Sequence, residues 1–387
     1  MQTVQSEKSL KPEYRIPSMG DIKSIPWNGF NVISTFSGCG GSSLGYKMAG
    51  YRVLWANEFI EAAQQTYKAN FPDTILDRRD IRKVQPEDIL EKIGMEPGQL
   101  DLMDGSPPCA SFSTAGSREA GWGKIRKYSD TKQRTDDLFF EYVRLIKGIQ
   151  PKVFVAENVS GLVKGTAKGY FLMILKALKE CGYQVSCKTV DAQWLGVPQS
   201  RQRTIFVGVR DDLGLKPVHP KPLQYRYSVR DAIPWIVKAV QDPKGKFGVD
   251  ERSDKPSFCI KAQSASHCYV EVDIAKYAIG KEWDKLKPGQ QSEKYFSLMK
   301  PHLDKPCPCI TQTAGNVGAA GVVHPTEKRK FTIEELKRIC SFPDDFILTG
   351  SYSQQWERLG RAVPPVMMSH IAKAIQDGVL CKITSRA

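Results

Sequence analysis

An α/β fold built on a doubly wound, mostly parallel sheet is what this sequence predicts. Three observations lead there. Short apolar runs alternate with helical segments from Asn31 to about Arg210, the order that puts helices on both faces of a parallel sheet. A glycine-bearing turn, Gly38 to Gly45, directly follows the first apolar run, where such folds bind ligands. Beyond Arg210 the alternation stops, and prolines, lysines and aromatics mix without clear period to about Pro325. A second, smaller and irregular domain is expected there.

The elements follow in order. Asn31 to Phe36 (NVISTF) reads as a first buried strand, entering a short helix that ends near Gly50. Tyr51 to Asn57 is a second strand with Glu58 at its tip, and Phe59 to Asn70 is a helix. Thr74 to Leu76 gives a third strand, with Asp80 shortly after it. Pro86 to Ile93 is a helix with proline in its first turn. Leu100 to Asp104 forms the fourth strand, and residues 110–135 a long, mobile polar loop. Asp136 to Gly148 is a helix, and Lys152 to Ala156 a fifth strand ending in Glu157-Asn158. A helix over 170–181 precedes two strands, Tyr183 to Val190 and Arg203 to Val209. A helical pattern returns from Thr332, and Pro364-Pro365 opens a last helix to about Gly378.

The chain has 387 residues, of which 41% are apolar and 10% aromatic, enough for a substantial core. Met1 to Asn31 holds no apolar run of signal-peptide length. No stretch approaches the ~20 apolar residues of a membrane span. A soluble, cytoplasmic protein is expected. Its ten cysteines are scattered without any Cys-x-x-Cys pair, so free thiols in a reducing compartment are expected. Cys259, His267, Cys268, Cys307 and Cys309 match no usual zinc spacing, and no metal is expected. The net charge is +14, and residues 215–330 carry 20 Lys and Arg against 12 Asp and Glu. Such a concentrated excess suits a polyanionic partner, although a solvated lysine-rich face would give the same count.

Several residues stand where chemistry is done. Cys109 lies behind Pro107-Pro108, just past the run Leu100-Asp101-Leu102-Met103-Asp104. The prolines restrict the backbone, so the thiol is held at a strand end, as covalent catalysis requires. The alternative is an inert small hydrophobe in a rigid loop. Gly38 and Gly40 allow close backbone approach to a ligand, but the spacing is neither G-x-G-x-x-G nor a P-loop. Glu58 is placed to bond ribose hydroxyls and Asp80 an adenine amino group, unless they are caps or loop acids. Together with the turn they favour an adenosine-containing cofactor. Glu157 would share a rim with Cys109, where a carboxyl beside a desolvated pocket can donate a proton. Its alternative is an acid stabilised by a helix N-terminus. Gln199, Arg201 and Arg203 alternate along a strand, so their side chains share a face. The two guanidiniums could bind phosphate, hold a carbonyl oxygen, or simply decorate an edge strand.

In this order the motifs resemble those of the DNA (cytosine-5)-methyltransferases of bacterial restriction-modification systems, over most of residues 31–378. Phe36-Ser37-Gly38-Cys39-Gly40-Gly41 resembles the cofactor loop, Glu58 the ribose acid, and Arg79-Asp80-Ile81 the adenine-side segment. Pro107-Pro108-Cys109 resembles the nucleophile loop, Glu157-Asn158-Val159 the acid motif, and Gln199 to Arg203 the Gln-x-Arg-x-Arg motif. Arg329 to Thr332 with Phe342-Pro343-Asp344, and Gly360 to Pro365, resemble the last two blocks. Two departures stand out: Ala110 where the family has glutamine, and Arg361 where it has asparagine.

The resemblance implies an S-adenosylmethionine-dependent methyltransferase fold. It also implies S-adenosyl-L-methionine held by Phe36, Ser37, Gly38, Cys39, Gly40, Gly41, Glu58, Phe59, Asp80, Ile81, Pro108, Leu138, Ala362 and Val363. Catalysis would fall to Cys109, Glu157, Arg201 and Arg203. Implied partners are double-stranded DNA, with the cytosine flipped out, and a cognate restriction endonuclease; a monomer without membrane association is expected. The loop over 110–135, with Lys124, Arg126 and Lys127, would close over the DNA. The domain organisation expected is an extension over 1–30, a catalytic and cofactor-binding domain over 31–214, target recognition over 215–325, and a returning segment over 326–387. Gly315 to Gly318 is a candidate close-approach turn in a groove. Two other readings stay open, a tRNA-methylating relative and a binding protein without catalysis.

Overall fold

The computed structural model describes residues 11–108, 126–128, 131–133, 137–163, 168–236 and 272–385. Cys109 and Ala110 lie outside them, as does most of the loop over 110–135. The described parts of that loop are two short strands, β5 (Arg126–Tyr128) and β6 (Thr131–Gln133), paired antiparallel. Among the described residues, no helix is long and apolar enough to cross a membrane.

The alternating apolar runs form one sheet. Its strands are β1 (Asn31–Thr35), β2 (Arg52–Asn57), β3 (Ile75–Asp77), β4 (Leu102–Gly105), β7 (Val153–Val159), β8 (Tyr183–Asp191) and β9 (Gln202–Arg210). They lie in the order β3-β2-β1-β4-β7-β9-β8. Pairing is parallel from β3 through β7, and β9 enters antiparallel between β7 and β8. Successive residues point to opposite faces, and both faces are covered. Ile33, Met103 and Phe154 pack with the helices Pro86–Ile93, Leu138–Ile149 and Lys168–Glu180. Val32, Leu102, Val153 and Val155 face Tyr46 of the helix Gly41–Met48 and Met367, Met368 and Ile371 of the helix Pro365–Ile375. This is the doubly wound architecture the alternation predicts.

Strand order reverses at β1 and β4, which opens a crevice at the carboxyl ends of the parallel strands. The antiparallel insertion of β9 serves the same rim. Because Val159 of β7 pairs with Arg203 of β9, the amino end of β9 arrives where β7 finishes. The expected fifth strand runs further than the sequence suggests, so Glu157 sits within β7 rather than just past it.

Past Arg210 the chain is irregular, with short helices at Val229–Ala232 and Ala278–Trp283. A small core of Ile274, Ile279, Leu298 and Val323 organises part of it. Cys307 nevertheless pairs with Gln199, and Ile310 joins the large core that includes Leu336 and Trp356. Gly315 and Gly318 do make close approaches, but within the protein. An added Cβ would meet the Ser353 carbonyl oxygen at 2.7 Å and the Tyr277 ring at 2.7 Å.

Candidate active site

The crevice holds a cavity of about 410 Å³. Phe36, Ser37, Gly38 and Cys39 enter it after β1, Asn57 to Ile60 after β2, and Asp80 and Ile81 after β3. Ser106 to Pro108 follow β4, and Glu157 to Ser160 close β7. Ser42, Leu138, Arg201, Arg203, Cys309 to Thr313, Arg358 and Gly360 to Val363 complete the lining.

The turn after β1 is built from unusual backbone. Phe36 has φ 53°, Gly38 56° and Gly40 95°, and only glycine takes such values freely. An L-residue such as Phe36 does so at a cost of roughly 1–2 kcal/mol, a strain that marks functional turns. Glu58 knits the turn to β2. Its Oε2 accepts from the Gly38 amide at 2.8 Å and its Oε1 from the Ile60 amide at 2.7 Å. Burial raises the Glu58 carboxyl above its ordinary pKa, against those two amide bonds and Arg358. Asp80 lines the cavity and also caps a short 3-10 turn, accepting from the Arg82 amide at 3.0 Å. Gly41 packs so closely that an added Cβ would stand 2.2 Å from the Val363 carbonyl oxygen. Gly40 and Gly41 do not line the cavity; they support the turn beneath it. Leu138 lines it from the start of the helix Leu138–Ile149, Phe59 from a half-exposed position, and Ala362 and Val363 from the far wall.

On the other side, Arg203 Nε lies 2.6 Å from Glu157 Oε1, with both side chains mostly covered. Asn158 Nδ2 donates to the Pro107 carbonyl oxygen at 3.1 Å, tying the double-proline turn to β7. Arg201 behaves differently from its neighbour. Its Nη1 donates to the Ile310 carbonyl at 3.2 Å and its Nη2 to the Gly360 carbonyl at 3.0 Å. Its buried Nε has no partner among the described residues. Strand β9 begins only at Gln202; Arg201 and Arg203 both line the cavity, as alternation predicts, whereas Gln199 does not. Gln199 is fully buried, 3.3 Å from Cys340 Sγ. Arg361 Nε donates to Glu357 Oε1 at 2.7 Å on the cavity wall.

The family model for C-5 cytosine-specific DNA methylase matches residues 30–377. The chain belongs to that family. Among curated relatives of this methylase, the type II methyltransferase M.NgoPII of Neisseria gonorrhoeae is 30% identical over 92% of this chain and 98% of its own. M.DdeI of Desulfomicrobium norvegicum is 33% identical over 89% of this chain and 88% of its own. Two solved structures share the fold. A candidate DNA modification methyltransferase encoded within an E. coli prophage has TM-score 0.68 at 21% identity, covering 91% of this chain and 100% of its own. A triple mutant of Spodoptera frugiperda DNMT2 has TM-score 0.60 at 19% identity, covering 92% and 99%.

Several residues in and next to the methylase's site escape sequence reasoning. Asp104, behind the cavity in β4, is buried, with Ser34 Oγ donating to its Oδ2 at 2.9 Å and the Tyr46 hydroxyl to its Oδ1 at 3.3 Å. Burial pushes its carboxyl up to about 7, opposed by hydrogen bonds from Ser34, Tyr46 and Ser42 and reinforced by the Glu157 charge. Cys309 to Thr313 reach the cavity from inside the stretch read as irregular, and no local motif announces them. Arg358 belongs to the helix Tyr352–Arg361, which the sequence reading passes over. Its signals are present: Ser351 and Gln354 form a capping box, and Tyr352, Trp356 and Leu359 are its buried apolar positions. The Cys39 thiol is pushed by burial up to about 12 and is no nucleophile.

Proposed function

We propose that this chain is a sequence-specific DNA cytosine-5 methyltransferase using S-adenosyl-L-methionine. The observation that carries the reading is the meeting of three features in one cavity: the Glu157–Arg203 pair, the Pro107-Pro108 turn, and the acids Glu58 and Asp80. The residues fit the cofactor. The Glu58 oxygens each accept one amide and keep lone pairs for ribose hydroxyls. Beside Gly38 an added Cβ would meet nothing within 4 Å, so the backbone lies open to a ligand. Phe36, Ile81 and Leu138 offer apolar walls for a purine.

Bound there, S-adenosyl-L-methionine would supply an electrophilic methyl group for C5 of the activated base. The chain's part is to activate it. C5 of cytosine is a weak nucleophile, so Cys109 adds its sulfur to C6 while Glu157 holds a proton at N3, and electron density moves to C5. Arg203 fixes the Glu157 carboxyl and offers its guanidinium to the cytosine O2. Arg201 acts as a brace, holding the segments of Ile310 and Gly360 at the cavity wall. Loss of the C5 proton to solvent, expulsion of the Cys109 thiolate and return of the N3 proton to Glu157 then restore the ring. A stacked base cannot reach the cavity and must be flipped out of the duplex.

Residues 31–214 with 326–387 make the catalytic unit in this reading, preceded by the extension over 1–30. Residues 215–325 recognise the target, their basic excess meeting phosphates. A monomer in the cytoplasm, protecting host DNA beside a cognate endonuclease, completes the proposal. Duplexes carrying 5-fluorocytosine test it, because fluorine cannot leave C5 as a cation and the adduct persists. With S-adenosyl-L-methionine present, a covalent band is expected for the intact protein and none for Cys109→Ser, which still binds DNA. Methyl transfer by Cys109→Ser, or methylation of tRNA but not of duplex DNA, would overturn the reading.

A further inference from the structure

Phe296 is the most exposed large apolar side chain among the described residues, at 80% of its free surface. Its exposure is built, since the loop that carries it is tightly held. Ser292 N donates to the Leu298 carbonyl at 2.9 Å, Leu298 N to the Tyr295 carbonyl at 2.7 Å, and Gln291 Nε2 to the Phe296 carbonyl at 2.5 Å. Ser292 Oγ accepts from the amides of Lys294 and Tyr295 and donates to Glu282. Leu298 and Tyr295, on either side of Phe296, turn into the small core of Ile274, Ile279 and Val323. The ring therefore stands out from a fixed base, and among the described residues no segment covers it.

The stalk of this loop is tied toward the cavity. Met299 N donates to the Gly321 carbonyl at 3.2 Å and Val323 N to the Met299 carbonyl at 3.0 Å. The same strip continues back to Gln312 and Thr313, which line the cavity. The segments that pack on the same small core carry unpaired cations. Lys276, Lys281, Lys287 and Lys294 are exposed and form no ion pair among the described residues, with Glu293 an exposed acid beside them. A bare aromatic ring on a rigid mount, on a unit that bears such lysines, suits a duplex: the cations meet phosphates while the ring meets bases.

We propose that Phe296 is an aromatic wedge that stacks into a base step of the duplex near the target cytosine. This deepens the reading of duplex DNA as substrate and rests on it. Stacking of a base on an aromatic side chain makes alanine replacement costly, so Phe296→Ala should weaken duplex binding by about 10- to 100-fold. Its thermal midpoint should stay that of the wild type, because the ring packs against little in the free protein. Phe296→Trp should keep the affinity, and its added indole emission should be quenched by duplex DNA. Wild-type affinity in Phe296→Ala, or indole emission from Phe296→Trp that duplex leaves unchanged, overturns the wedge. Trapping on 5-fluorocytosine DNA with the same preparations separates the two failures. An adduct alongside an unaffected Phe296→Ala sinks the wedge alone, whereas no adduct from the wild type sinks the enzymatic reading as well.

Discussion

Replacing Asp104 by Asn should remove a pH dependence that the wild type carries. The carboxyl is almost wholly buried, and its pKa rises from 3.8 in the unfolded chain to about 7 in the fold. For an acid shifted upward, both states hold the proton below pH ~4, and the residue costs nothing there. As pH rises from ~4 to ~7, only the unfolded chain releases its proton, so the native state loses stability across that window and levels off above it. At ~1.4 kcal/mol per pKa unit the cost is about 4 kcal/mol at pH 8 and about 2 kcal/mol at pH 5. The difference of roughly 2–3 kcal/mol is about 3 °C in Tm for a chain of this size, taking ~2.1 cal/mol/K of unfolding entropy per residue. Asn cannot ionise, while the hydroxyls of Ser34 and Tyr46 can turn to satisfy its amide. Thermal unfolding of both proteins at pH 5 and pH 8 isolates the effect, since every other titration cancels in the comparison. The same drop in Tm between those pH values for Asp104→Asn as for wild type would refute the reasoning.

Three further perturbations follow from other contacts. Lys330 is fully buried, donates to the Ala319 carbonyl at 2.7 Å, and is lowered by burial to about 7. Its cost is full below pH ~7 and fades as pH rises toward ~10.5, so the wild type should gain about 2 kcal/mol between pH ~7 and pH ~9. Lys330→Met should lack that gain in denaturant titrations at the two pH values. Gly41→Ala drives a methyl group against the Val363 carbonyl oxygen, at a cost of about 1–3 kcal/mol; a lowered Tm and weaker S-adenosyl-L-methionine binding by calorimetry are expected. Asn158→Ala releases the Pro107 carbonyl, a loss of ~1 kcal/mol. Its methylation rate should fall while cofactor affinity holds, and an unchanged rate would show that the tether does not position the turn.

Strands are legible because their apolar runs are short and bounded by turn residues, and the helix Pro86–Ile93 is read to the residue from its proline and spacing. Glu58, Asp80 and Glu157 stand out as strand-end acids, since the crevice of an open sheet lies at those ends. Pairing direction is not legible. Nothing in Gln202–Arg210 says that it runs antiparallel, yet that inversion brings Arg203 to Glu157. Asp104 reads as the polar end of a buried strand, and only the packing of Ser34 and Tyr46 around it shows why it titrates high. Arg201 and Arg203 look alike in sequence. Their different partners, two carbonyls and one carboxylate, depend on the distant segments Ile310 and Gly360.

The seating of Gly41 and Gly45 has a consequence for biosynthesis. These residues sit where added methyl groups would strike the carbonyl oxygens of Val363 and Pro365, so the first turn of the crevice is buttressed by segments from the far end of the chain. A ribosome must translate past residue 365 before that buttress exists. Nascent chains and premature-stop fragments that end before residue 365 would lack the finished wall of the cavity. The crevice would therefore be completed late, when the Pro365–Ile375 helix seats against the glycines.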